Sequence, residues 1–243
     1  MRQIINSIIP VLFAVALMSV PSCNTPNNGT RTSKTDDKAS TPERIGFIQH
    51  LPDDGVWASY LVKGKGEGQD TSHTATVRMV GTTTEKGQKC RWIELDGDNT
   101  LFKFLVREDD LAADAKGMPV IIRIWAKQGN NPVTELDDQA RKAHVERLFG
   151  KQMEVKAVNA KKVVNWKKGR MKLAMARQGK QIVSKADEEK IEQTVTVWSH
   201  QTSPFGTVLF KTSFKTGGKT EAEITALFQD HGTGAESALP DNN

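Results

Sequence analysis

The stretch Gln193–Phe214, QTVTVWSHQTSPFGTVLFKTSF, constrains the fold of this chain more than any other. Val195 and Val197 alternate with Thr194, Thr196 and Trp198. Ser203, Pro204 and Gly206 supply turn chemistry, after which Val208, Phe210 and Phe214 fall on one face. Successive side chains of a strand point to opposite faces, so two alternating runs around a Pro/Gly turn predict a β-hairpin with one buried face.

The same period recurs upstream. Trp57–Val62 reads as a first strand, followed by a loose glycine-rich connection, KGKGEGQD. That connection lacks the Lys-Ser/Thr spacing of a phosphate loop. Thr74–Val80 sets Ala75, Val77 and Met79 against Thr74, Thr76 and Arg78. Glu85-Lys86-Gly87 turns, Cys90–Leu95 returns, Asp96-Gly97 turns again, and Thr100–Val106 presents Phe102, Phe104 and Val106 on one side. Strands joined by such short turns predict an antiparallel meander. Pro119–Ala126 and Glu221–Phe228 add two strands, the second following a Gly217-Gly218 turn.

Two helices are expected between the strand groups. Asp109 caps a short one that Gly117 stops. The clearer one is capped by Thr134 and ended by Gly150, with Leu136, Ala140, Ala143 and Leu148 near one stripe and His144 beside it.

Charge is unevenly spread. The chain is +5 overall, yet Lys151–Lys180 alone holds ten Lys/Arg against one acid, Glu154. The run reads as a solvated strand face, with attraction to anionic lipid headgroups as the functional alternative. Within it, Gly169 and Gly179 bracket a strand, RMKLAMARQ. Nucleic-acid binders interleave basic residues with several stacking aromatics, and Trp166 is the one aromatic here, so no nucleic-acid partner is expected.

The N-terminus reads as a targeting segment. Arg2 precedes a mostly apolar run, Ile4–Val20, too interrupted for a spanning helix. Val20-Pro21-Ser22-Cys23 resembles a bacterial lipobox, in which the signal is cut before a cysteine that becomes lipidated. Asn24–Pro42 contains one Ala and no larger apolar residue, too little to offset chain entropy, and reads as a disordered linker. The expected organisation is a signal peptide (1–22), a lipidated Cys23 with its linker (23–43), one β-rich domain (44–230) and a disordered polar tail (231–243).

Chemistry is sparse. Asp96, Asp98 and Asn99 cluster, but Leu101 and Arg107 stand where a calcium loop needs Gly and Glu. The five His residues show no paired ligand spacing, so no metal or other cofactor is expected. Ser199-His200 is the one suggestive pair, yet adjacent strand residues face opposite ways. There is no G-x-S-x-G elbow, and Cys90 sits in a strand-like run that predicts burial. No catalytic residue and no enzyme activity are expected.

Taken together, GRMKLAMARQGKQI, TVTVWSH and SPFGTVLFKTSF resemble a pattern of periplasmic half-barrel lipoproteins, similar to the lipoprotein-carrier (LolA-like) superfamily. The resemblance spans about Lys162–Phe214 and rests on Trp198, Ser199, Pro204, Phe205 and Gly206, with Gly169 in support. It implies a mainly β fold, a strongly curved antiparallel sheet with one or two helices against it, and an apolar cavity for a lipid or lipoprotein. Ile93, Leu95, Phe102, Phe104, Val195, Val197, Val208 and Phe210 are the candidate lining; residue by residue, burial as ordinary core is the better reading, because alternation marks burial without saying what covers it. The expected protein is an exported, lipid-anchored envelope protein facing the periplasm or exterior, its partners a membrane at Cys23 and a lipid or apolar partner segment. The alternative is an assembly lipoprotein with no small ligand.

Overall fold

The computed structural model describes residues 42–66, 69–108, 121–184 and 190–239. Cys23 and the predicted Asp109 helix lie outside them. Strand β1 (Pro42–Ile45) is followed by β2 (Trp57–Gly66), β3 (Gln69–Glu85), β4 (Gln88–Gly97), β5 (Thr100–Arg107), β6 (Ile121–Gln128) and β7 (Thr134–Glu135). Helix α1 (Asp138–Leu148) comes next, then β8 (Lys151–Trp166), β9 (Gly169–Ser184), β10 (Lys190–Ser199), β11 (Thr207–Thr216) and β12 (Lys219–Gly232). The strands form one antiparallel sheet in the order β1-β8-β9-β10-β11-β12-β2-β3-β4-β5-β6-β7.

This order is two meanders, β2–β7 and β8–β12, joined edge to edge where β12 pairs with β2. The join has a topological consequence. Strands β7 and β8 stand toward opposite margins of the sheet, so the chain between them must cross it. The chain from β1 at the margin to β2 in the middle must cross as well.

The first crossing is α1. Its cap is Asp137, whose carboxylate accepts from Ala140 N at 2.9 Å. Thr134, expected in that role, instead pairs with Ala126 in β7. Gly150 follows the last turn at φ +83° and stops the helix as predicted. The buried face is His144, Val145 and Leu148 rather than the expected stripe through Ala140 and Ala143. Alanines offer little area to bury, and the larger side chains set the rotation.

Other local readings shift for identifiable reasons. The turn after β4 is Asp98–Asn99 (φ +49° and +63°), not Asp96-Gly97. A two-residue hairpin turn of this hand needs positive φ at both central positions, which Asp and Asn tolerate. Gly64 and Gly66 belong to β2, not to a loose connection, because ladders on both sides, to Ile224 and Ala222 in β12 and to Thr71 and Gln69 in β3, override their weak strand preference.

Bulges curl the sheet. An extra residue between Asn159 and Lys162 bends the β8–β9 hairpin. The carbonyl of Ala160 in that bulge accepts from Trp198 Nε1 at 2.8 Å. Beyond it the hairpin tip reaches β12, where Lys167 N donates to Gln229 O at 2.9 Å, although β9, β10 and β11 intervene in the ladder. The Trp166 ring lies 5.5 Å from that of Phe228. The curved sheet with a helix against it is therefore present, and the ladder does not close into a barrel. The β10–β11 hairpin is also present, but both its faces are buried near the turn, since Trp198 is covered as fully as Val195.

Candidate functional site

The eight candidate lining residues fall into two groups. Register pairs Ile93 with Phe104 and Leu95 with Phe102, and extends these rows to Met79 and Val77 on one side and to Ile124 and Ala126 on the other. Val197 pairs with Phe210, in a row continued by Ala226 and Val62. Val195 and Val208 lie two residues away along β10 and β11. Strands β12, β2 and β3 separate the groups.

None of the eight borders open space. All are at most 8% exposed and belong to one continuous core. The two crossing segments cover them. Phe47, between β1 and β2, sets its ring 4.7 Å from Tyr60 and 5.8 Å from Phe210. His144 of α1 lies 4.8 Å from Phe102 and 5.9 Å from Phe104. Burial lowers the His144 pKa to about 4, with a smaller push from Arg147. The crossings also bond to each other and to the β10–β11 turn: Ile48 N donates to Leu148 O at 2.8 Å, and Gln49 N to Phe205 O at 3.1 Å. At their intersection the backbones touch. A Cβ on Gly46 would stand 2.2 Å from the Phe149 carbonyl carbon, and one on Gly150 2.0 Å from Ile45 O.

The polar candidates have structural partners. His200 Nδ1 accepts from Thr202 N at 3.2 Å and lies 2.9 Å from Thr202 Oγ1. This closes the turn rather than engaging Ser199. Tyr60 shares a hydrogen bond of 3.1 Å with Ser203, and burial pushes its phenol well above the ordinary range. Cys90 is buried, its thiol directed at Gln88 O at 3.4 Å. Among the described residues no three His, Cys, Asp or Glu converge as metal ligands, and no helix is long and apolar enough to cross a membrane. A cleft of about 580 Å³ opens between the Glu85–Gln88 turn, the start of β6 and α1, and none of the eight candidates lines it.

One polar cluster escaped the sequence reading. Glu94 and Lys103 are opposed on β4 and β5 and are buried. The segment after β12 covers them. Lys103 Nζ donates to Ser237 Oγ at 2.8 Å and to Leu239 O at 3.0 Å. The Glu94 carboxylate accepts from Ser237 Oγ at 2.6 Å, Ala238 N at 3.0 Å and Leu239 N at 3.2 Å. Of residues 231–239, read as part of a disordered tail, His231 and Gly232 end β12 and 233–239 form a strap with Leu239 buried at its end. The single hint was Leu239, the one large apolar residue of that tail.

No protein-family model matches the sequence, and no curated protein matches it significantly. Among solved structures, the chain is similar to a Bacteroides fragilis protein described as having a YmcC-like fold. The match has 9% identity and a TM-score of 0.35, and it covers 78% of this chain and all of that one.

Proposed function

We propose that this chain is a non-catalytic lipoprotein of the cell envelope that acts through contact with a partner protein, its sheet interior filled by its own side chains. The observation that carries this is the cover over the eight expected lining residues: Phe47, Ile48, His144, Leu148 and Phe149 occupy the place a lipid would take. A bound acyl chain would have to displace two crossing segments that are hydrogen-bonded to each other. The lipobox-like Cys23 and the linker after it support attachment to a membrane.

The test is solvent extraction of the purified protein with lipid mass spectrometry, beside crosslinking in cells. The expected result is no stoichiometric lipid and a discrete crosslinked adduct that disappears when the domain is unfolded by Gly150→Val. Lipid recovered at one equivalent per chain, or no adduct with the folded protein, overturns the proposal.

A further inference from the structure

We propose that the outer side of the β8–β9 hairpin docks on an anionic phospholipid bilayer. Three large apolar side chains are well exposed among the described residues, Val163 (51%), Met175 (52%) and Ile182 (61%), and all three lie on this one hairpin. The hairpin also holds the chain's excess of positive charge: ten Lys/Arg against Glu154 in Lys151–Lys180, in a protein of only +5. The rest of the chain is therefore net negative, and the hairpin is the surface that an anionic partner would meet.

Register sorts these residues into faces. Along β9, Arg170, Lys172, Lys180 and Ile182 share one side by alternation. The pairs Val163–Lys172 and Lys156–Gln178 add Val163 and Lys156 to it. Met175 lies on the other side. Lys180 is 3.5 Å from Glu192, whereas among the described residues no ion pair joins Lys156, Arg170 or Lys172 to a carboxylate. From Arg170 to Ile182 the stripe runs about 40 Å, at the usual rise of a strand. Aliphatic side chains set among exposed cations suit a bilayer interface: the cations meet lipid phosphates and the aliphatic groups enter the acyl boundary.

Protection of a sheet edge is the competing explanation for lysines on β8, whose outer edge pairs with β1 only over Lys151–Glu154. It reaches Arg170 and Lys172 as well, since β10 pairs with β9 only over Arg177–Ser184 and not beside these two residues. It fails for Val163 and Ile182, because exposed aliphatic groups on such a hairpin invite association instead of blocking it. The path of the chain favours a membrane as the occupant. The segment leading from Cys23 joins the fold on this hairpin, where Pro42 pairs with Glu154. The 19 residues from Asn24 to Pro42 span at most about 65 Å when extended, so the hairpin is within reach of a bilayer that holds Cys23.

The inference takes the presence of a bilayer from the envelope reading, but its test needs no partner protein, so either can fail alone. Full-length protein carrying Cys23→Ser is cosedimented with phosphatidylcholine vesicles, with and without 30 mol% (about one lipid in three) phosphatidylglycerol. The N-terminal apolar segment is common to all variants, so differences among them report the hairpin. Each basic residue near a negative leaflet is worth about fivefold in partition. Lys156→Gln, Arg170→Gln and Lys172→Gln together should lower binding to the anionic vesicles about 100-fold and leave binding to neutral vesicles unchanged. Val163→Ser with Ile182→Ser should lower it about tenfold. All five residues are exposed, so thermal midpoints should hold; the single variants serve if a combination unfolds. Equal binding to both vesicle types, or no change in the triple variant, overturns the proposal. So does loss with the cations alone, no effect of the aliphatic changes and equal retention on heparin, which would mark a site for any polyanion.

Discussion

Replacing Glu94 by alanine should destabilise the domain by about 3–5 kcal/mol, the usual cost of breaking a buried charge pair from one side. The carboxylate is fully buried and accepts three hydrogen bonds from the strap at 2.6–3.2 Å, with Arg78 Nη1 3.8 Å away. Bonds to a charged group contribute about 1.5–3 kcal/mol each, but the strap lies at a chain end and its N–H groups regain water when it lifts. The larger cost falls on Lys103, which is 1% exposed and joined to Glu94 through Ser237. Glu94→Gln keeps the volume and one acceptor, and should cost less. Glu94→Leu with Lys103→Met removes both charges and should recover most of the loss. The assay is equilibrium unfolding in urea followed by tryptophan emission. The Trp92 ring lies 5.1 Å from Lys103 Nζ and 5.1 Å from the Trp125 ring, so release of the strap should change the native-state signal too. A loss below about 1 kcal/mol in Glu94→Ala, with unaltered emission, would refute the argument that the strap and the buried charges form one unit.

Four further outcomes are expected. Because burial holds His144 near pKa 4, the unfolded chain takes up its proton first as pH falls below 6.5, and stability should drop by roughly 3 kcal/mol between pH 6.5 and 4; urea midpoints across that range should show a slope that His144→Leu flattens. Gly46→Ala should cost about 3 kcal/mol or more by thermal unfolding, since its Cβ would meet Phe149 backbone that cannot yield without moving α1. Trp198→Phe keeps an aromatic ring but a smaller one and orphans the Ala160 carbonyl in the bulge, a loss of about 2 kcal/mol or more by the same measurement. Cys23→Ser should move the protein from the membrane to the soluble fraction or leave it uncleaved; a variant that is processed and fractionates like the parent would mean plain secretion.

The strands were legible because their signal is local. Alternation in Thr74–Val80, Thr100–Val106 and Gln193–Phe214 follows from the two-residue period of a strand, whichever neighbours it later acquires. Lys86-Gly87 and Gly217-Gly218 marked two hairpin closures, and Gly150 the end of the helix, because positive φ is a property of one residue and its side chain; Asp96-Gly97 did not, since Asp98 and Asn99 take that turn. Errors clustered where a partner distant in sequence decides. Thr134 and Asp137 are both good caps, and pairing of Thr134 with Ala126 chose between them. The glycines of β2 became strand because β12 and β3 flank them.

For the candidate site the division is sharper. Alternation with polar residues is enough to place Ile93, Leu95, Phe102, Phe104, Val195, Val197, Val208 and Phe210 out of water, because it marks one apolar face. What covers that face is set by segments that arrive from elsewhere in the chain. The edge-to-edge join of β12 with β2 sends β7 and β8 to opposite margins, which forces the two crossings whose Phe47 and His144 fill the interior. Glu94 and Lys103, on the same two strands, are buried because a strap more than 130 residues away closes over them. Burial is a relation between segments, and a local period carries no information about the segment that arrives from elsewhere in the chain.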